Sequence, residues 1–274
     1  MQGNIFRGQN PMAPEVKNAC FVAGTLVHAS EGLKPIERIQ VGDLVLSKPE
    51  NGDGKTAFKP VVRTVRVEDS ETWYVSWEDP QLHDDWAKKR ISFEEYSALS
   101  GNTFVITTPN HPFWVVKSDD EYLKYGGSGL YIDPPWPTKE WIRADHLVQG
   151  MSLQLANGRI VTVLHSKPVY KTDREGQAWV DINEHMLGLL FETVEGVLRP
   201  SQSIYADKST GDLFLGLVAN PNEAYGWDYP IGSAKDSWFR STVYNMEVDE
   251  FHTCFVDTLG VLVHDANACA AKLA

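Results

Sequence analysis

An all-β fold is the class this sequence predicts, built as two related halves with one insertion of mixed α/β character. Three observations predict it. Short runs rich in β-branched and aromatic residues recur along the chain. Turn residues bound each run. One short pattern also occurs twice, as Ile39-x-x-Gly42-x-x-Val45 and as Leu147-x-x-Gly150-x-x-Leu153.

Taken in order, residues 1–19 carry Pro, Gly, Asn and Gln without periodicity and read as an N-terminal flank. Residues 25–28 form a short strand, and Ser30-Glu31-Gly32 a turn. Residues 34–39 fit one helical turn with Pro35 near its start. Gly42-Asp43 turns into a strand over 44–46. Strands are expected over 61–67, 71–77, 103–107 and 113–116. The interruption at 80–100 contains Ser92-Phe93-Glu94-Glu95, whose spacing is that of a capping box and predicts a short helix. Residues 141–145 suggest a second short helix before the second Gly pattern. Strands follow over 152–155, 160–164, 243–248, 253–256 and 261–264. Residues 172–241 fit neither half and read as an insertion. Within it, residues 184–195 place apolar side chains at helical spacing, so a helix is expected there.

Composition narrows the functions. The chain has 274 residues, a formal charge of -12 and 42% hydrophobic residues. The length and apolar content support a packed core. An acidic surface repels phosphate, so nucleic acid is not an expected partner. No apolar run approaches the roughly 20 residues of a membrane span, and the opening residues lack the apolar centre of a signal peptide. Residues 270–274 read as a vector-derived tail. The three cysteines, Cys20, Cys254 and Cys269, form no CxxC, so at least one thiol is free.

The chemistry gathers at Cys20. A thiol that breaks the bond before it must attack the Ala19 carbonyl. At a pKa of about 8.5 it is mostly protonated at neutral pH. The step needs a base, a donor for the developing oxyanion, and a proton for the departing amine. Thr108-Pro109-Asn110-His111 supplies a histidine after a strand, and Thr108 supplies a hydroxyl. His252 lies between two strands, and His264-Asp265 closes the last one. His28, His83, His146, His165 and His185 have no motif around them and read as surface or core residues. His83-Asp84-Asp85 holds ligand-type side chains, but an acidic loop is ordinarily solvated. No metal and no cofactor are expected.

Four motifs in this order carry a resemblance: Cys20-Phe21-Val22-Ala23-Gly24-Thr25 with residues 36–43, then Thr108-x-x-His111, then residues 243–248 with His252, then residues 261–265. Over about 20–170 and 242–265 the chain resembles the Hedgehog/intein (Hint) superfamily, in particular the Hint domains of bacterial intein-like proteins and polymorphic toxins. The resemblance implies a horseshoe of strands with pseudo-twofold symmetry and autocatalytic cleavage of flanking peptide. It implies that Cys20 is the nucleophile of an N-to-S acyl shift at the Ala19–Cys20 junction. Thr108 and His111 would polarise and protonate that amide, while His252 and His264 would assist cleavage after residue 265. The implied partner is the chain's own flanking polypeptide, with a covalently linked toxin or effector as cargo, in a monomer belonging to a bacterial secreted or surface protein.

Three departures from the family pattern qualify this. Asp265 stands where the family has Asn, and a carboxylate lacks the amide nitrogen that cyclises, so C-terminal cleavage is expected to be impaired. Ala266 stands where splicing needs Cys, Ser or Thr, so no true splicing is expected. Asn245 stands where Asp is usual, leaving it as an assisting residue without the carboxylate's charge. The alternatives are a Hint scaffold that does not process itself and a cysteine hydrolase acting in trans.

Overall fold

A computed structural model of the chain describes residues 19–100, 103–116, 139–172, 174–183, 187–207, 212–215, 226–230 and 238–265. The first half holds β1 (Phe21–Val22), β2 (Leu26–Ala29), β3 (Gly32–Pro35), β4 (Leu44–Ser47), β5 (Ala57–Glu71) and β6 (Trp73–Glu78). Two short helices follow, α1 (Pro80–Ala87) and α2 (Phe93–Ser100). Asp79 caps α1 through Gln81 and Leu82. The predicted capping box starts α2: Ser92 N–H donates to Glu95 at 2.8 Å, and Glu95 N–H donates to Ser92 Oγ at 3.1 Å.

The second half holds β7 (Phe104–Thr107), β8 (Pro112–Val116), β9 (Glu140–Arg143), β10 (Ser152–Gln154) and β11 (Ile160–Pro168). The insertion supplies β12 (Tyr170–Lys171), β13 (Gln177–Asn183), β14 (Leu187–Val194), β15 (Val197–Asp207), β16 (Asp212–Leu215) and β17 (Gly226–Pro230). The chain then returns through β18 (Arg240–Val248), β19 (Thr253–Val256) and β20 (Val261–His264).

Twelve of the fourteen strands of the main sheet close into a ring, in the order β10-β11-β6-β7-β1-β18-β5-β4-β2-β19-β20-β8 and back to β10. The expected twofold is present in this pairing. Exchanging the halves sends β1, β2, β4, β5 and β6 to β7, β8, β10, β11 and β18, and β19 to β20, and every pairing survives. The off-ring strands obey it too: β3 pairs β2 as β9 pairs β8. Because β5 pairs β18 and β11 pairs β6, each half completes its sheet with the other's strands.

The repeated Gly pattern is the local mark of this symmetry. A 3₁₀ turn precedes it in each half, Ile36–Arg38 and Ala144–His146. Gly42 and Gly150 both have φ of 94°, where a side chain is strained. Gly42 N–H donates to Val61 O at 2.8 Å, and Gly150 N–H donates to Val163 O at 2.9 Å. The symmetry reaches the site as well. Ile36 N–H donates to Thr25 O as Ala144 N–H donates to His111 O, each at 2.8 Å, so His111 occupies the position that Thr25 holds in the other half.

Two sequence expectations are corrected. Residues 141–145 are not a helix: β9 runs through Arg143, and a 3₁₀ turn follows. The helix expected over 184–195 is strand β14 over Leu187–Val194, with 184–186 outside the described residues. The register shifts between Leu190 and Phe191, and both are buried. The extra residue is Ser201 on β15, while β14 pairs β13 there without a break; β14 is buried on both faces at this point, and two adjacent apolar side chains imitate helical spacing. Among the described residues the insertion is an antiparallel six-stranded sheet rather than a mixed unit.

The core lies inside the ring, around Phe21, Trp77, Phe113, Leu153, Met246 and Cys254. A second apolar cluster joins ring to insertion: Cys20, Val22, Tyr74, Ile106 and Val243 pack with Val180, Phe191 and Leu198. Cys20 and Cys254 are both free thiols. Among the described residues no helix is long and apolar enough to cross a membrane.

Candidate active site

Strand β18 organises the site. It pairs β1 with Phe21 opposite Tyr244, which brings Asn245 to the Ala19–Cys20 peptide. Asn245 Nδ2 donates to Ala19 O at 2.5 Å. Met246 N–H donates to Asn245 Oδ1 at 2.8 Å and fixes the amide's orientation. Three residues on, Val248 N–H donates to Asp265 Oδ2 at 2.9 Å. At a rise of roughly 3.3 Å per residue, the two ends of the domain are gripped about 10 Å apart on one strand.

The β7–β8 turn grips the same peptide from the other side. Thr108 Oγ1 accepts from Cys20 N–H at 3.1 Å. Cys20 O accepts from Thr107 Oγ1 at 2.7 Å and from Thr108 N–H at 2.9 Å. Ala19 and Cys20 are fully buried. Burial pushes the Cys20 thiol up to about 12, so it rests protonated.

His111 is fully buried against the Phe21 ring, centroids 4.1 Å apart, and near that of Phe113 at 5.8 Å. Burial pushes its pKa down to about 3; the charge of His264 works in the same direction, and the nearby Ala19 carbonyl works weakly against both. Neither ring nitrogen makes a well-aligned hydrogen bond among the described residues, and the nearest acceptor is the Ala19 carbonyl. An imidazole that is neutral at pH 7 can accept a proton but has no acidic proton to give until it has taken one.

The C-terminal group is separate. Asp265 is 2% exposed, and its N–H donates to His252 O at 2.9 Å. His252 Nδ1 lies 3.3 Å from Asp265 Oδ2, and His252 has a left-handed φ of 54°. His264 Nδ1 lies 3.0 Å from the main-chain oxygen of Asp265, and Nε2 lies 3.3 Å from Glu50 Oε1. Cys254 lies in the core, its thiol raised by burial and by Asp265.

The structure thus gathers Cys20, Thr108, His111 and Asn245 at one junction, and His252, His264 and Asp265 at the other. Ala266 and Cys269 lie outside the described residues. Asn245 makes a contact that sequence reading missed: its amide, not a missing carboxylate, is what faces the Ala19 carbonyl. Thr107 and Glu50 were also missed. Thr107 sits one residue before the histidine motif, a signal that was available. Glu50 lies in a stretch that reads only as a turn. Outside the site, Asp84 and Asp85 of the acidic triplet pair with Lys88 and Arg90.

Comparison with known proteins adds a likeness of fold. No family model matches the chain, and no curated protein does. Solved structures do. The likeness is to inteins and intein-like domains. The bacterial intein-like domain from Clostridium thermocellum is 20% identical, covering 90% of this chain and 99% of that one, with a TM-score of 0.45. The gp41-1 intein is 13% identical over 91% of this chain and 100% of that one, at 0.41. A DnaB intein from Synechocystis sp. PCC 6803 is 8% identical over 90% and 98%, at 0.41.

Proposed function

We propose that this chain is a self-cleaving, single-turnover domain that cuts its own backbone at Ala19–Cys20. The observation that carries the reading is the grip on that one peptide. Asn245 donates to its carbonyl oxygen, where the oxyanion of an attack would form. Thr108 accepts from its nitrogen, and a neutral histidine lies beside it. A fully buried peptide at the end of a strand needs hydrogen bonds, but it does not need a buried imidazole beside its carbonyl.

In this reading Cys20 Sγ attacks the Ala19 carbonyl carbon. His111 takes the thiol proton as the S–C bond forms; with its pKa held near 3 it is a weak base, so the transfer proceeds only together with that bond, and the proton is readily given up again. The tetrahedral oxyanion is held by Asn245. The C–N bond breaks, and His111 delivers the same proton to the leaving nitrogen of Cys20. The product is a thioester between Ala19 and Cys20 with a free amine on Cys20. Water or an added thiol then opens it and releases residues 1–19. At the other end, His264 polarises the carbonyl of residue 265. The Asp265 carboxylate has no nitrogen with which to attack, and its Oδ2 faces Val248 N–H and His252, so that bond stays closed.

A second reading, a Hint scaffold that does not process itself, is favoured by one observation: Cys20 rests buried and protonated. The experiment that separates the two is incubation with dithiothreitol, followed by mass measurement. The native chain is expected to lose residues 1–19 and Cys20→Ala to stay whole. Asn245→Ala is expected to slow the loss by about 10²–10³-fold, the usual effect of removing one oxyanion donor. A native chain inert at every thiol concentration and pH, or an Asn245→Ala variant as fast as native, would sink the self-cleaving reading.

A further inference from the structure

His264 is buried, at 2% exposure, yet both of its ring nitrogens face oxygen. Nδ1 meets the main-chain carbonyl of Asp265 at 3.0 Å, and Nε2 meets Glu50 Oε1 at 3.3 Å. A carbonyl oxygen only accepts, and so does an ionised carboxylate. Each ring nitrogen must therefore donate. A neutral imidazole carries one N–H, so only the imidazolium satisfies both contacts.

Glu50 is itself fixed by the second half of the fold. Its main-chain oxygen accepts from Trp141 Nε1 at 2.9 Å. The Trp141 ring in turn packs edge-on against the His264 ring, with centroids 4.9 Å apart. Trp141 lies on β9, and Glu50 follows β4, so two elements from opposite halves clamp one imidazole. The charged groups around it favour a cation. Asp265 Oδ1 lies 3.6 Å from Nδ1, so two carboxylates flank the ring. The opposing group, His111, is neutral through burial. His252 lies across the Asp265 carboxylate, on Oδ2, and the Cys254 thiol on β19 stays protonated.

The geometry points to Glu50 as a positioning residue that keeps His264 protonated on both nitrogens, so that a charged N–H rests on the carbonyl following which the chain would be cut. The second part rests on the self-cleaving reading; the first does not. A charged donor on that oxygen polarises it more strongly than a neutral one. In a chain with an amide at 265, this would raise the rate of attack on the carbonyl carbon. Here the polarising half is built, while the attacking half is replaced by a carboxylate.

Two measurements test this. The full chain, labelled with ¹⁵N, is read at pH 7 for the protonation of the His264 ring nitrogens. Both are expected to be protonated in the native chain, and only Nδ1 in Glu50→Gln, which keeps the side chain's shape and removes its charge. A neutral His264 in the native chain, or an imidazolium that persists in Glu50→Gln, overturns the assignment. Cleavage after residue 265 is then followed by mass in Asp265→Asn, with and without Glu50→Gln. The double variant is expected to cut at least tenfold more slowly, with Glu50→Asp recovering part of the rate. Equal rates overturn the role of Glu50 in polarising the bond. If the nitrogens respond as expected while Asp265→Asn never cuts, the hold of Glu50 on His264 stands and the self-cleaving reading of that junction falls.

Discussion

At the scale of single residues, burial sets the protonation of the site, and it also sets how stability responds to pH. His111 and His165 are held neutral, their pKa values pushed from 6.5 to about 3 and about 4 by desolvation. Asp257 is pushed the other way, from 3.8 to about 7, also by desolvation. Between about pH 4 and 6.5 the unfolded chain therefore binds protons at the two histidines that the folded chain refuses, and stability rises with pH. Over the same range the folded chain keeps a proton on Asp257 that the unfolded chain has lost, and stability falls with pH. Two protons against one leave a net rise of about 1.4 kcal/mol per unit. Asp257→Asn removes the opposing contribution. Its melting temperature is expected to climb more steeply than native from pH 4 to 6.5, and not to decline just above. Calorimetry of both proteins across pH 4–8 checks this; parallel curves would mean that Asp257 ionises normally. Comparing variant with native cancels the surface carboxylates, whose ion pairs act on both alike.

At the scale of elements, the most informative local device is the glycine in the turn that follows each 3₁₀ turn. At Gly42 an added Cβ would meet nothing within 4 Å, so the requirement for glycine there is conformational, from φ of 94°. Gly42→Ala is expected to destabilise the fold by about 1–2 kcal/mol in urea titration, and Gly42→Asn by less, since Asn visits positive φ more readily. An Ala variant as stable as native would show that the turn is not held in that conformation. This device was legible because a turn at positive φ leaves a mark at one position. Likewise the capping box of α2 is written in Ser92 and Glu95, which are neighbours in sequence. Strand β14 was not legible. Burial of the adjacent Leu190 and Phe191 breaks the alternation that marks a strand, and only pairing with β13 and β15 decides between strand and helix. β1 was missed for a similar reason: two residues make no pattern, and pairing with β7 and β18 makes them a strand.

At the scale of the whole molecule, the insertion does more than occupy a loop. In the first half a single residue, Thr72, joins β5 to β6; in the second, the matching connection from β11 to β18 holds the entire second sheet. That sheet supplies Val180, Phe191 and Leu198 to the apolar cluster in which Cys20 is buried, so part of the desolvation that keeps the thiol protonated comes from it. Phe191→Ala is expected to destabilise the fold by about 3–5 kcal/mol and to make Cys20 react faster with iodoacetamide as its pKa moves back toward 9.0. Leu153→Ala, in the other cluster, is the control for general loosening. If both variants raise the alkylation rate equally, the insertion is not what shields the Cys20 thiol.

The sequence by itself determined the class of fold, the duplicated halves and the residues worth watching, because each of these leaves a local trace: alternation, a glycine, a short motif. It also named Cys20, Thr108, His111, His252, His264 and Asp265. Only the tertiary structure decided what these residues touch. Asn245 reaches Ala19 across 226 positions of sequence, and Glu50 reaches His264 across 214. No local pattern records such a contact, since closing the ring of strands is what creates it. The same closure excludes water from His111 and the thiol of Cys20, and so holds the imidazole neutral and the thiol protonated.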